Sequence, residues 1–120
     1  MEINYLNGYR LMWLFVMFDL PTLTEANRKD ASDFRKALLD EGFTMMQFSV
    51  YARHCSSSEH AESLEKRVSA FLPNGGKVFT FQITDKQYGN GHLYHGTKRM
   101  YENIAPERVV VFQSSLESFL

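Results

Sequence analysis

Apolar residues run unbroken from Leu11 to Phe18, eight positions that end on a single carboxylate, Asp19, followed by Leu20-Pro21. A run of this length suits a strand buried on both faces and is far short of the about twenty residues that a membrane-crossing helix needs. Pro21 has no N–H to give a ladder, so the strand is expected over about Leu11–Asp19, with the carboxylate at its tip. Helical periodicity then takes over. Thr22-Leu23-Thr24-Glu25 reads as a capping box with Thr22 as N-cap, and Ala31, Phe34 and Leu38 form one stripe of a helix that runs to about Leu39 and stops at Gly42.

Phe43–Cys55 is rich in aromatic and β-branched residues and too long for one short strand, so two strands breaking near Gln47 are expected, without the Asn-Gly or Asp-Gly of a tight hairpin. Ser56-Ser57-Ser58-Glu59 caps a second helix carrying Ala61, Leu64, Val68, Phe71 and Leu72 at helical spacing, and Pro73-Asn74-Gly75-Gly76 stops it. Lys77–Thr84 alternates Phe79, Phe81 and Ile83 with Thr80 and Gln82, as a half-buried strand does. Asp85–Gly96 reads as a loop, Lys98–Asn103 as a helical turn, and Val109–Phe112 as a short terminal strand; the polar stretch Met1–Tyr9 reads as a loose leader.

Strand, helix, strand, strand, helix, strand is the split βαβ, ferredoxin-like α+β order (βαββαβ), here with an added C-terminal strand. The expectation is one domain over residues 1–120, with a core over about 10–84 and an extension over 85–120. Two helices cover one face of such a sheet, yet Met12-Trp13-Leu14-Phe15 is bulky and apolar at successive positions. The other face is therefore expected to pack on a second copy, giving a sheet-to-sheet homodimer. The Val109–Phe112 strand would then pair with a sheet edge of the partner or bind another protein.

Composition changes this picture little. Hydrophobic residues at 44% and aromatics at 14% argue against disorder, and the sequence shows neither a secretory signal pattern nor a long apolar span, so a cytoplasmic protein with no membrane association is expected. One cysteine, Cys55, excludes an internal disulfide. Charge matters more: 13 Lys+Arg against 14 Asp+Glu leaves a net charge of -1, so any nucleic-acid binding needs its cations gathered on one face.

The candidate chemistry begins at Asp19, which either caps the turn before Pro21 or holds a divalent cation for phosphodiester cleavage. Magnesium keeps several waters and takes one or two protein carboxylates, so two Asp19 copies facing each other across a twofold axis suffice to share one ion. Arg28, Lys29, Arg35 and Lys36 recur at i,i+7 on one side of the first helix, either to meet phosphates or as a solvated face paired with Asp33 and Asp40. Ser49, Tyr51 and Arg53 alternate along a strand; Ser49 is a donor to a phosphate or a metal-bound water, or merely a small filler, and Arg53 is a further phosphate contact. Cys55 with His54 and His60, and His92-x-x-His95, lack zinc-site spacing, and Gly89-x-Gly91…Gly96 lacks the strand-to-helix setting of a dinucleotide fingerprint.

Several separated segments together resemble one family: the strand ending Phe-Asp-Leu-Pro, then Arg28-Lys29 and Phe34-Arg35-Lys36, then Gly42-Phe43…Gln47-Phe48-Ser49-Val50-Tyr51, Ile83–Tyr88 and Arg108–Phe112. They are similar to the CRISPR-associated protein two family of spacer-acquisition nucleases, in the branch that accompanies type II systems. The resemblance implies a homodimer that bridges integrase dimers in a hetero-hexamer-like assembly and holds double-stranded spacer DNA. It also implies an endoribonuclease or endodeoxyribonuclease site with Asp19 as catalytic and metal residue and Mg2+ or Mn2+ as cofactor. The alternative is a structural DNA-binding adaptor without catalysis.

Overall fold

The computed structural model describes residues 11–96 and the backbone of residues 100–103. The run around Trp13 forms β1 (Met12–Asp19), which is followed by α1 (Glu25–Asp40), β2 (Thr44–Gln47), β3 (Val50–Cys55), α2 (Ser58–Ser69) and β4 (Lys77–Thr84). The four strands make one antiparallel sheet in the order β2-β3-β1-β4, the expected split βαβ topology. The proposed strand at Val109–Phe112 and the leader Met1–Tyr9 lie outside the described residues.

Local chemistry sets the helix ends. The N-cap of α1 is Thr24 rather than Thr22: its hydroxyl accepts from the Asn27 N–H at 3.0 Å, and the Asn27 side chain accepts from the Thr24 N–H at 3.4 Å. Asn27 thus does the work expected of Glu25, which sits in the first turn where a negative charge suits the helix dipole. At the other end, Gly42 at φ +87 sends its N–H to the Leu39 carbonyl and Phe43 sends its N–H to Leu38. That pair is a Schellman motif, sealed by Phe43 joining Leu38 in the core.

The face of the sheet under α1 and α2 carries the main core. Leu14, Val16, Phe18, Tyr51 and Cys55 meet Phe34, Leu38, Ala61, Leu64 and Val68 there. Leu72, expected on the α2 stripe, is 50% exposed because α2 ends at Ser69; Phe71 alone continues inward, its ring 5.8 Å from that of Phe34. The break between β2 and β3 is a two-residue turn at Phe48–Ser49 with a bulge between Met45 and Gln47, so Ser49 is a turn residue and not part of the alternating strand.

The opposite face is more aromatic. Ladder partners place Trp13 beside Ile83, Phe15 beside Phe81, Met17 beside Phe79 and Asp19 beside Lys77, all on the side away from the helices. Here the segment expected to be a loop has structure of its own. Asp85–Gly89 forms a short helix, α3, capped by Thr84 with Gln87, and β5 (His92–His95) pairs with β6 (Met100–Asn103), where a helical turn was expected. Tyr88 of α3 stacks on Trp13 at 4.4 Å, and Trp13, Met46, Ala52 and Tyr88 are all buried, with Leu93 packed against them. Sequence pattern missed this because what orders α3 is a contact with Trp13, 75 positions earlier, and not local periodicity. Among the described residues, half of the second face is therefore left open: Met17 is 39% and Phe79 63% exposed.

A buried polar knot ties α3 down. Asp85 is 6% exposed and accepts a 2.8 Å hydrogen bond from Trp13 Nε1–H, while His54 Nε2 lies 3.8 Å from the same oxygen. Burial pushes the His54 pKa below its ordinary value of 6.5; Asp85 pulls it up and His60 pushes it further down, and the net direction is down. The unfolded chain therefore takes a proton that the folded chain refuses, so this contribution to stability is full above pH 6.5 and is lost as pH falls through and below that value. Chemical denaturation should show a lower midpoint at about pH 5 than at about pH 7.5, and His54→Gln should shrink that difference; an unchanged difference in the variant would remove His54 as its cause.

Candidate phosphodiester site at the end of the central strand

Asp19 is the last residue of β1 and is exposed. Strand alternation puts it on the same face as Met17, Phe15 and Trp13, the face away from the helices. Its ladder partner is Lys77, the first residue of β4, and both line an open cleft of about 440 Å3 with Met17, Phe18, Val78 and Phe79. Asp19 and Lys77 thus share one apolar cleft, beside an apolar surface that continues along β1 and β4. Lys77 was missed as a site residue by sequence reasoning; the only available signal was its place at the start of a strand directly after the Gly75-Gly76 turn.

The loop after Asp19 is braced from three sides. A Cβ on Gly76 would stand 2.6 Å from the Asp19 carbonyl oxygen and 2.8 Å from the Leu20 side chain, so the turn before β4 can lie against the tip of β1 only as glycine. A Cβ on Gly75 would stand 3.9 Å from the Pro21 ring, an ordinary contact. Arg28 donates from a terminal guanidinium nitrogen to the Thr22 carbonyl at 3.0 Å and the Leu23 carbonyl at 3.4 Å. The third side is the β2–β3 turn: the Phe18 N–H donates to the Ser49 carbonyl at 3.0 Å, which holds Ser49 next to the strand end.

The remaining expected site residues separate. Lys29 pairs with Asp33 at 3.0 Å on an exposed helix face, a contact worth only about 0.3–0.5 kcal/mol and easily given up to a phosphate. Lys36 is exposed on the same helix. Arg35 is half-buried with its guanidinium 5.8 Å from the Phe18 ring centre, and its Nε is sealed from solvent without a partner, so Nε itself cannot meet an anion. Arg53 lies elsewhere. It is the ladder partner of Leu14, on the helix side of the sheet, about 16 Å along the strand from Asp19, and a terminal guanidinium nitrogen is 3.3 Å from His60 Nε2. Tyr51, buried beneath α1, has its phenol pushed up by burial against the downward pull of Arg35.

Donor chemistry decides what cation this site suits. Among the described residues no group of three or more His, Cys, Asp or Glu side chains converges as a metal cage. An exposed single carboxylate fits instead an ion that keeps most of its waters, as Mg2+ does.

A split βαβ domain with an acidic residue at the tip of its central strand and, among the described residues, a half-open aromatic sheet face defines a class of small α+β proteins, not yet a particular one. The sequence comparisons are decisive: residues 12–90 match the family described as CRISPR associated protein Cas2, and the chain belongs to that family. It is 52% identical over 107 residues to the CRISPR-associated endoribonuclease Cas2 of Paracidovorax avenae, covering 89% of this chain and 99% of that relative. It is 49% identical to the protein of the same name from Flavobacterium psychrophilum, over 89% of this chain and 93% of the relative. The match to the Parvibaculum lavamentivorans protein is 48% over 84% of this chain and the whole of the relative. Among the described residues no helix is long and apolar enough to cross a membrane.

Gly76→Ala should destabilise the fold more than Gly75→Ala. Both residues hold positive φ, +82 and +79, which costs a side chain about 1–2 kcal/mol, but only at Gly76 does the new methyl group also strike backbone. Urea denaturation of the two variants measures the difference directly; equal losses would mean that the Gly76 contact yields freely.

Proposed function

We propose that this chain is a CRISPR adaptation protein that acts as a homodimer, bridging integrase subunits and holding spacer DNA, with a Mg2+-assisted phosphodiesterase site at Asp19. The carrying observation is Asp19 itself: exposed at the tip of β1, beside Lys77, at the border of the open half of an apolar sheet face. Two copies packed through Met17 and Phe79 would bury that half face and bring two Asp19 carboxylates near one another. Family membership and the name endoribonuclease carried by the relatives support nucleic-acid cleavage.

Within this reading a bound magnesium ion supplies charge neutralisation at the phosphate and a more acidic water. The chain's own part is to hold that ion through Asp19, to place Lys77 against the phosphate, and to exclude bulk water on the Met17–Phe79 side. Ser49, fixed by the Phe18 N–H, stands ready to donate to a phosphate oxygen. Lys29 and Lys36 on the exposed face of α1 would contact the backbone of a longer strand without regard to sequence, and Arg28 serves by holding the loop after Asp19.

A second reading, a scaffold without catalysis, draws support from the donor count, since each chain offers one carboxylate among the described residues. The two separate on one variant. Asp19→Asn should abolish Mg2+-dependent cleavage of labelled RNA and DNA while leaving spacer integration by the integrase assembly intact. Equal cleavage by the variant would end the catalytic reading. Sedimentation at micromolar concentration tests the dimer: wild type should run as two chains and Phe79→Lys as one, because a buried unpaired lysine is strongly unfavourable.

A further inference from the structure

Arg53 and His60 face one another on the helix side of the sheet, about 16 Å along the strand from Asp19, with a hydrogen-bonding conflict between them. The Ser56 N–H donates to His60 Nδ1 at 3.2 Å, and because a backbone N–H only donates, Nδ1 is an acceptor. A neutral imidazole with an accepting Nδ1 carries its proton on Nε2. Yet Nε2 is the atom 3.3 Å from a terminal guanidinium nitrogen of Arg53, and guanidinium nitrogens are also donors only. Two N–H groups are therefore aimed at one another. Protonating the ring does not relieve this: Nε2–H still opposes Arg53, and Nδ1–H then opposes Ser56. Gly42 keeps the guanidinium in place, since a Cβ there would stand 2.9 Å from Arg53 Nε, so the side chain passes directly over the turn that ends α1. Both residues are half-buried, and neither belongs to an ion pair among the described residues. Burial pushes the Cys55 thiol up while Arg53 and, more weakly, Arg67 pull it down, so a second guanidinium is close by. That one is already held by Glu41 at 3.0 Å.

We propose that Arg53 and His60 form an oxyanion subsite for a phosphate group, which accepts from the guanidinium and from His60 Nε2–H together and so removes the clash of donors. The subsite is independent of the Asp19 reading, being on the opposite face of the sheet. A water molecule would satisfy the two N–H groups but leave the charge of Arg53 without a counter-ion. An anion satisfies both, and hydrogen bonds between ionised partners are about twice as strong as neutral ones. Phosphate is favoured over carboxylate by oxygen count. A carboxylate uses both oxygens on the planar guanidinium fork, whereas a phosphate has further oxygens for the imidazole N–H.

The test titrates the full chain with inorganic phosphate and follows the histidine ring nitrogens by proton–nitrogen correlation NMR. Without phosphate, His60 should show a proton on Nε2 and none on Nδ1. Phosphate at millimolar concentration should then shift His60 Nε2 saturably, and acetate at the same concentration should not. Arg53→Gln should weaken phosphate binding by about tenfold or more, and Lys66→Gln, an exposed cation elsewhere on α2, by less than about twofold. The wild-type spectra decide the matter even if Arg53→Gln fails to fold. Two further ligands identify the source of the phosphate. An Arg53-dependent shift with adenosine monophosphate supports a free phosphomonoester, and the same shift with a short DNA strand lacking terminal phosphates supports a strand backbone. A proton found on Nδ1 alone overturns the proposal, as does an absent phosphate shift, an equal shift with acetate, or binding that folded Arg53→Gln retains in full.

Discussion

The organising constraint is that β1 lies in the middle of its sheet and is apolar on both faces, while the two long helices can shield only one. Leu14, Val16 and Phe18 turn toward α1 and α2 and complete a core with Phe34, Leu38, Leu64 and Val68. Trp13, Phe15 and Met17 must find cover elsewhere. The chain solves the problem for Trp13 by folding α3 and β5 back over it, with Tyr88 stacked on the indole and Asp85 accepting its N–H. Among the described residues Met17 and Phe79 keep no such cover, and that remainder adjoins Asp19.

The knot at Asp85 shows how such cover is kept. An uncompensated carboxylate at that depth would be strongly unfavourable, so the Trp13 bond and the nearby His54 do more than fix an angle: they make burial of α3 tolerable. The same arrangement marks where intramolecular packing ends. Beyond Phe15 and Phe81, whose rings stack at 5.1 Å, nothing in the described chain covers the sheet, and the apolar surface passes directly into the cleft of Asp19 and Lys77. A proposed partner copy and a proposed phosphate would then be neighbours by construction.

Charge tells a similar story of placement over totals. A net charge of -1 looked unpromising for a nucleic-acid protein. The fold sorts the cations unevenly: Arg28 serves the backbone of the loop after Asp19, Arg53 turns to His60 on the far face, and Arg35 lies half-buried over Phe18. Lys29, Lys36 and Lys77 stay exposed, Lys77 as the ladder partner of Asp19. Exposed lysines with weak or no competing pairs are the ones free to follow a phosphate backbone, so a modest total does not preclude a useful local field.

The order of elements from β1 to β4, the stripe of Ala31, Phe34 and Leu38, the stop at Gly42 and the position of Asp19 at a strand tip were all determined by the sequence alone, because each follows from periodicity of 2 or 3.6 residues or from the backbone demands of glycine and proline. The family was legible for the same reason, its motifs being local and in order. Other features were decided only in three dimensions: the cap at Thr24 over Thr22, the pairing of Asp19 with Lys77, the departure of Arg53 to the opposite face, and the covering of Trp13 by Tyr88. Each depends on register or on contacts between residues far apart in the chain. A one-residue choice of register changes which side chains share a face, and nothing in a local pattern of apolar and polar positions specifies that choice.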